Sequence, residues 1–168
     1  DKNRYNLIKW VTNFIKEYDY GKNIKGLYLH GNFGCGKTYI LSACLNEMKK
    51  RGFSTKLVYL PDLLRTIKGD FEAMNDIMDQ LCNVDILLID DIGAEKVTDW
   101  GRDEILGTIL QSRMNEHKTT FFTSNFTIKE LEEHLSNKGS DKVKANRIIE
   151  RIKQLTIDME MLGANMRK

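Results

Sequence analysis

Eight consecutive residues, Gly31-Asn32-Phe33-Gly34-Cys35-Gly36-Lys37-Thr38, spell G-x-x-x-x-G-K-T. They follow an apolar run, Gly26-Leu27-Tyr28-Leu29-His30, that reads as a short buried strand. They precede a helical pattern in which Ile40, Leu41, Cys44, Leu45 and Met48 recur at three- and four-residue spacing. Strand, glycine loop and helix in that order predict a phosphate-binding P-loop and an α/β fold around it. Glycines let the backbone curl so that successive N–H groups point into one concavity. A helix opening at Lys37 adds the positive end of its dipole, about half an elementary charge. In such a loop all eight residues bind nucleotide: Lys37 reaches the β- and γ-phosphates, and the Thr38 hydroxyl ligates Mg²⁺.

The chain has 168 residues, enough for one domain with a substantial core. A net charge of +2 excludes a global polyanion-binding signature, so any nucleic-acid role must rest on a local patch. Three cysteines, Cys35, Cys44 and Cys82, show neither metal spacing nor a paired framework, which points to reduced thiols in a cytoplasmic protein. No apolar run approaches the ~18 residues of a membrane span. The first residue is Asp1 rather than Met, and the expectation is a fragment lacking upstream sequence. Residues 1–25 are then a helix and linker, and 26–168 the nucleotide-binding domain.

Elements follow from periodicity. Residues 4–20 form an amphipathic helix with Ile8, Val11, Ile15 and Tyr18 on one stripe, Trp10 and Phe14 beside it, and Gly21 ending it. Residues 54–60 read as a strand, and Pro61, the single proline, suits the first turn of a helix whose buried face is Leu63, Leu64 and Ile67. Residues 71–81 resume helically after Gly69. Residues 84–89 are the strongest strand, continuously apolar from Ile86 to Ile89, as expected of a strand covered on both faces. A helix over 98–117, a strand over 119–123, and a capping box at Thr127–Glu130 opening a helix to about Leu135 come next. Residues 136–142 read as a mobile polar loop, 145–153 as a basic helix and 155–162 as a last strand. Strands alternating with helices predict a doubly wound parallel sheet with helices on both faces.

Ile86-Leu87-Leu88-Ile89-Asp90-Asp91 is a Walker B pattern, a strand that carries carboxylates to the sheet edge where ligands bind. Asp90 is expected to hold Mg²⁺ and Asp91 to orient and deprotonate the attacking water. Glu95 stands close enough in sequence to compete with Asp91 for that task. Thr123-Ser124-Asn125 ends the next strand, where a polar side chain can bind γ-phosphate or place the water; it also suits a plain turn.

The order of Gly31–Thr38, Leu87-Leu88-Ile89-Asp90-Asp91-Ile92-Gly93, Thr123-Ser124-Asn125 and Arg147-Ile148-Ile149-Glu150-Arg151-Ile152 resembles the AAA+ ATPase domain of bacterial replicative helicase loaders of the DnaC/DnaI type. The resemblance runs from Gly26 to the closing Gly163-Ala164-Asn165-Met166-Arg167. It implies an AAA+ core without the separate helical lid, an ATPase that is weak as a monomer, and ATP with Mg²⁺ as cofactors. It also implies a role in placing the replicative helicase on single-stranded DNA, with helicase contacts made by upstream sequence. Asn125 then corresponds to the sensor 1 residue. Arg151 corresponds to the arginine finger that reaches a neighbouring subunit's ATP, with Arg147 as the competing candidate, and Arg167 to the sensor 2 arginine. Walker B here is Asp-Asp where many AAA+ proteins have Asp-Glu, so Asp91 is one methylene shorter.

Lys138, Lys142, Lys144, Arg147, Arg151 and Lys153 outnumber Asp141 and Glu150 by four charges, which suits either phosphate contacts or an inter-subunit face. The resemblance places single-stranded DNA near the segments that hold Phe71 and Trp100, where an aromatic ring can stack on a base. Core packing is the other use of such rings. A transposition helper ATPase of the IstB-like kind shares these motifs, and the partner separates the two. A small P-loop kinase would need an arginine-rich lid and an acceptor pocket, which the sequence lacks. A purely structural nucleotide-binding module would not need both Asp90 and Asp91.

Overall fold

Strands that are apolar at every position need cover on both faces. In the structure, a computed structural model that describes residues 2–19 and 22–163, five parallel strands form one sheet in the order β2-β3-β4-β1-β5. They are β1 (Gly26–His30), β2 (Thr55–Tyr59), β3 (Ile86–Asp90), β4 (Thr119–Ser124) and β5 (Thr156–Glu160). Period two sorts their side chains between two cores. Leu27, Leu29, Ile86, Leu88 and Phe121 pack under α1 (Lys2–Glu17) and α2 (Lys37–Lys50). Tyr28, Leu87, Ile89 and Phe122 pack under α3 (Leu60–Gly69), α4 (Phe71–Asn83), α5 (Gly107–Asn115), α6 (Ile128–Leu135) and α7 (Lys142–Leu155). The expected parallel P-loop architecture with helices on both faces is present, and every described helix packs on the sheet.

Three elements differ from the sequence expectation. The buried stripe of α1 is Leu7, Val11, Phe14 and Tyr18, while Ile8 is 52% exposed. Aromatic rings set that rotation: Phe14 stacks on Trp10 at 5.4 Å and meets the edge of Phe121 at 5.2 Å. The single helix expected over 98–117 is two. Trp100–Leu106 is a π-helical turn, closed where the Gly107 N–H reaches the Arg102 carbonyl, and only then does α5 begin. The polar segment 136–142 is a closed turn in which Asn137, Lys138 and Gly139 are successively left-handed. The Asp141 N–H donates to the Ser136 carbonyl at 2.9 Å, and buried Arg102 ties the turn down through the Leu135 carbonyl and Asp141.

A second buried arginine organises the amino-terminal edge of the sheet. Arg113 is fully buried, and among the described residues its hydrogen-bond partners are carbonyls and a hydroxyl, with no carboxylate. It donates to the carbonyls of Leu81, Val84, Asp85 and Thr119 and to the Thr120 hydroxyl. Burial pushes its guanidinium down to about 10, still charged at neutral pH. The cation therefore fastens the approach to β3 and the start of β4 to the end of α5. Removing it strands at least three buried carbonyls, each costing about 1–3 kcal/mol. Arg113→Ala is expected to lose about 3–5 kcal/mol of stability and roughly 10 °C in Tm by calorimetry. An unchanged Tm would mean that those carbonyls find other partners.

Candidate nucleotide-binding site

The strand registers bring the chemistry to one edge. His30 of β1 lies opposite Ser124 of β4, and Tyr59 of β2 opposite Asp90 of β3. The loop from Gly31 to Gly36 leaves β1 at that edge and turns through left-handed Gly34 and Gly36, at φ 76° and 98°, a conformation costly for other residues. Gly31 is required for another reason: a β-carbon there would run into the Met161 carbonyl. The segment after β5 lies directly against the loop. The Met161 N–H donates to the His30 carbonyl at 2.7 Å, and the Cys35 thiol donates to the Met161 carbonyl at 3.4 Å. The Asn32 side chain pairs twice with Gly163, donating to its carbonyl at 2.6 Å and accepting from its N–H at 3.3 Å. From the other side, α1 reaches in through Arg4, whose guanidinium donates to the Cys35 carbonyl at 3.2 Å. Phe33 is 57% exposed at the mouth of the loop.

Lys37 opens α2 and is buried. Its ammonium donates to the carbonyls of Gly31 and Asn32 at 3.0 and 2.9 Å and to Asn125 Oδ1 at 3.2 Å. Beside it, Thr38 Oγ1 donates to Asp90 Oδ1 at 2.7 Å, and Thr123 Oγ1 donates to the same oxygen at 2.6 Å. Thr123 also accepts the Asp91 N–H at 2.8 Å, while its carbonyl takes the Ile92 N–H. This pins Asp91 at φ 57°, which a short polar side chain tolerates. Thr38, Asp90, Asp91, Thr123 and Asn125 line a cleft of about 510 Å³ with the loop, together with Tyr39 and Tyr59. That volume suits a small-molecule ligand. The donors around Thr38 and Asp90 are hard oxygens, and among the described residues no cluster of three or more His, Cys, Asp or Glu could cage a metal. Such a pair fits Mg²⁺, which takes one or two protein carboxylates and completes its shell with phosphates and water.

Glu95 stands apart from this cleft. It is buried and accepts the Gly93 N–H at 2.8 Å, and its carbonyl faces His134 Nε2 at 3.2 Å. Geometry thus separates Asp91, which lines the cleft, from Glu95, which braces the turn behind it. Arg147 and Arg151 lie on a different cavity of about 740 Å³ between α5 and α7, not on the cleft. Arg167 falls outside the described residues. Phe71 is 75% exposed as the first residue of α4, which Asp70 caps by accepting the Glu72 and Ala73 N–H groups. Trp100 is half-buried against the core beneath the π-helical turn. Neither lines the cleft. Sequence reasoning missed the bridging hydroxyl of Thr123 and the two cleft tyrosines. The hint for Thr123 was a polar residue at the end of an otherwise buried strand.

A P-loop at the exit of β1, a hydroxyl–carboxylate pair shared with β3, and polar β4 between the two define a P-loop NTPase core of the AAA+ kind. The chain belongs to the family of bacterial DnaA ATPase domains, whose sequence profile matches residues 6–146. It is similar to the replicative helicase loader DnaI of Bacillus subtilis (strain 168), 40% identical over 172 residues that cover 99% of this chain and 55% of that protein. The crystal structure of DnaI matches with a TM-score of 0.88 at 46% identity, over 95% of this chain and 85% of that one. The crystal structure of the DnaC helicase loader shares the fold, with a TM-score of 0.78 at 22% identity over 96% and 91% of the two chains. The chain spans about half the length of the curated relatives it matches.

Burial raises the Glu95 carboxyl above its ordinary value of 4.5, with nearby Asp91 adding to the shift and the Gly93 N–H and His134 opposing it. The folded state therefore holds this proton more tightly than the unfolded chain, and stability falls as pH rises through the window above 4.5. Glu95→Gln keeps an acceptor for the Gly93 N–H and removes the titration. Its Tm, compared with wild type across pH 4.5–7, is expected to gain on wild type as pH rises. Parallel curves would show that Glu95 pays no desolvation cost.

Proposed function

We propose that this chain is the ATP-hydrolysing part of a replicative helicase loader, and that ATP binding and slow turnover act as its switch. The observation that carries the reading is the Thr38–Asp90–Thr123 cluster beside Lys37, in a chain 46% identical to the DnaI structure. The loop N–H groups and Lys37 bind the β- and γ-phosphates. Thr38 and Asp90 would hold Mg²⁺, which would supply positive charge to offset the negative charge on the phosphate oxygens. Asp91 takes a proton from the water that attacks the γ-phosphorus, and ADP leaves as the phosphate bond breaks. Asn125, already bonded to Lys37, aligns that water or the γ-phosphate. Tyr39 and Tyr59 wall the cleft.

Arg151 supplies a further cation to the ATP of a neighbouring subunit. Its place on the α5–α7 cavity, away from its own P-loop, supports that assignment. Such fingers are worth about 10³–10⁵ in rate, so an isolated subunit turns over slowly. Arg167 is assigned to the γ-phosphate of its own subunit. Residues 26–168, with α1 packed on their sheet and reaching the loop through Arg4, form the ATPase unit, and upstream sequence binds the replicative helicase. The protein works in the cytoplasm on single-stranded DNA, which Phe71 and Trp100 grip by stacking. Exposure of Phe71 favours that use.

A reconstituted assay with the replicative helicase and circular single-stranded DNA tests the reading. Loading of the helicase onto the circle should require this protein, and Lys37→Ala, which removes ATP binding, should abolish loading. Helicase that loads equally well without the protein would sink the proposal. In parallel, ATP turnover per subunit should rise with protein concentration, and Arg151→Ala should lower it by roughly 10³ and flatten that rise.

A further inference from the structure

Arg151 is held by an amide in a groove where carboxylates are at hand. Its Nε donates to Gln111 Oε1 at 2.8 Å, across from α7 to α5. The Gln111 amide is itself oriented, because its Nε2 donates to Asn115 Oδ1 at 2.9 Å one helical turn on. A flipped amide would face donor to donor at Arg151, so the relay fixes which end accepts. Asp103, Glu104 and Glu116 line the same groove. Asp103 is already engaged: Arg102 donates to both its oxygens at 2.8 and 3.0 Å, and Lys144 stands 3.8 Å away. Arg147, exposed on the preceding turn of α7, has no hydrogen bond or ion pair among those found for the described residues.

We propose that Gln111, oriented by Asn115, is a positioning residue that aims Arg151 at the nucleotide of a neighbouring subunit. The inference rests on the inter-subunit reading above. A guanidinium has five N–H donors in a rigid fork. Using Nε for Gln111 leaves the Nη pair, the end that matches phosphate oxygens two at a time. A neutral acceptor leaves the cation's charge intact for that purpose, whereas a carboxylate would neutralise it. The same contact marks Arg151, rather than Arg147, as the finger, because only Arg151 is aimed before its target arrives.

Mixed subunits of the full-length protein test this. A Lys37→Ala subunit cannot bind its own ATP but keeps its finger, and an Arg151→Ala subunit keeps its cleft but lacks the finger. Mixing the two should restore turnover in the Arg151→Ala clefts. Placing Gln111→Ala in the Lys37→Ala donor should cut the restored kcat about tenfold or more with KM for ATP unchanged, since a misplaced group costs rate rather than substrate affinity. Gln111→Glu in the donor, which keeps the side chain's length, should also cut it. Equal restoration by either Gln111 donor would overturn the proposal while leaving the inter-subunit reading intact. No restoration by the simple Lys37→Ala donor would overturn both. Full turnover by Arg151→Ala subunits on their own would transfer the finger's role to Arg147 and overturn the proposal alone.

Discussion

One carboxylate oxygen joins the parts of this site. Asp90 Oδ1 accepts hydrogen bonds from Thr38 at the start of α2 and from Thr123 near the end of β4. Three pieces of chain far apart in sequence thus converge on a single atom. Thr123 then extends the link, accepting the Asp91 N–H and so setting the direction of the next carboxylate. Strand order makes the convergence possible, because β4 lies between the strand that feeds the P-loop and the strand that carries Asp90. With another order the hydroxyl of Thr123 would have no carboxylate to bridge.

Much of this was legible in the sequence because its signals are local. Glycine spacing, an apolar strand and a helical repeat are each read within a dozen residues, and they located the P-loop, β1, β3 and α2. The capping box at Thr127 is equally local, and both of its bonds are present. Contacts that depend on distant partners were not legible. Ile8 and Leu7 are equivalent by hydropathy, and only Phe121 of β4, meeting the ring of Phe14, decides which of them is buried. The helix read over 98–117 carries no proline to announce its change of pitch. Its π-helical turn presents Arg102 to Asp103, Asp141 and the Leu135 carbonyl, partners up to 39 residues away. The Gln111–Arg151 contact spans 40 residues and joins two residue types with no shared motif.

The two buried arginines show how differently one side chain can be used. Arg102 is matched by carboxylates and holds a turn against the π-helical segment. Arg113 is matched by neutral oxygens alone and stays charged despite its burial. A planar cation with five donors satisfies several carbonyls at once, which no lysine could do in the same space. Both lie away from the loop: one fixes where β3 and β4 begin, the other holds Asp103, a residue that lines the groove containing Arg151.

The bonds that Arg113 makes at the amino-terminal edge of the sheet end mostly on main-chain oxygens, whereas at the opposite edge the bonds among Thr38, Asp90 and Thr123, and the one from Lys37 to Asn125, run between side chains. Main-chain partners cannot be exchanged without displacing strands; side-chain partners can be traded by rotating a few χ angles. The sheet thus has one clamped rim and one rim of replaceable contacts. An arriving ligand can swap partners at the second rim while the strands beneath keep their register, so chemistry at the cleft is insulated from the stability of the fold that carries it.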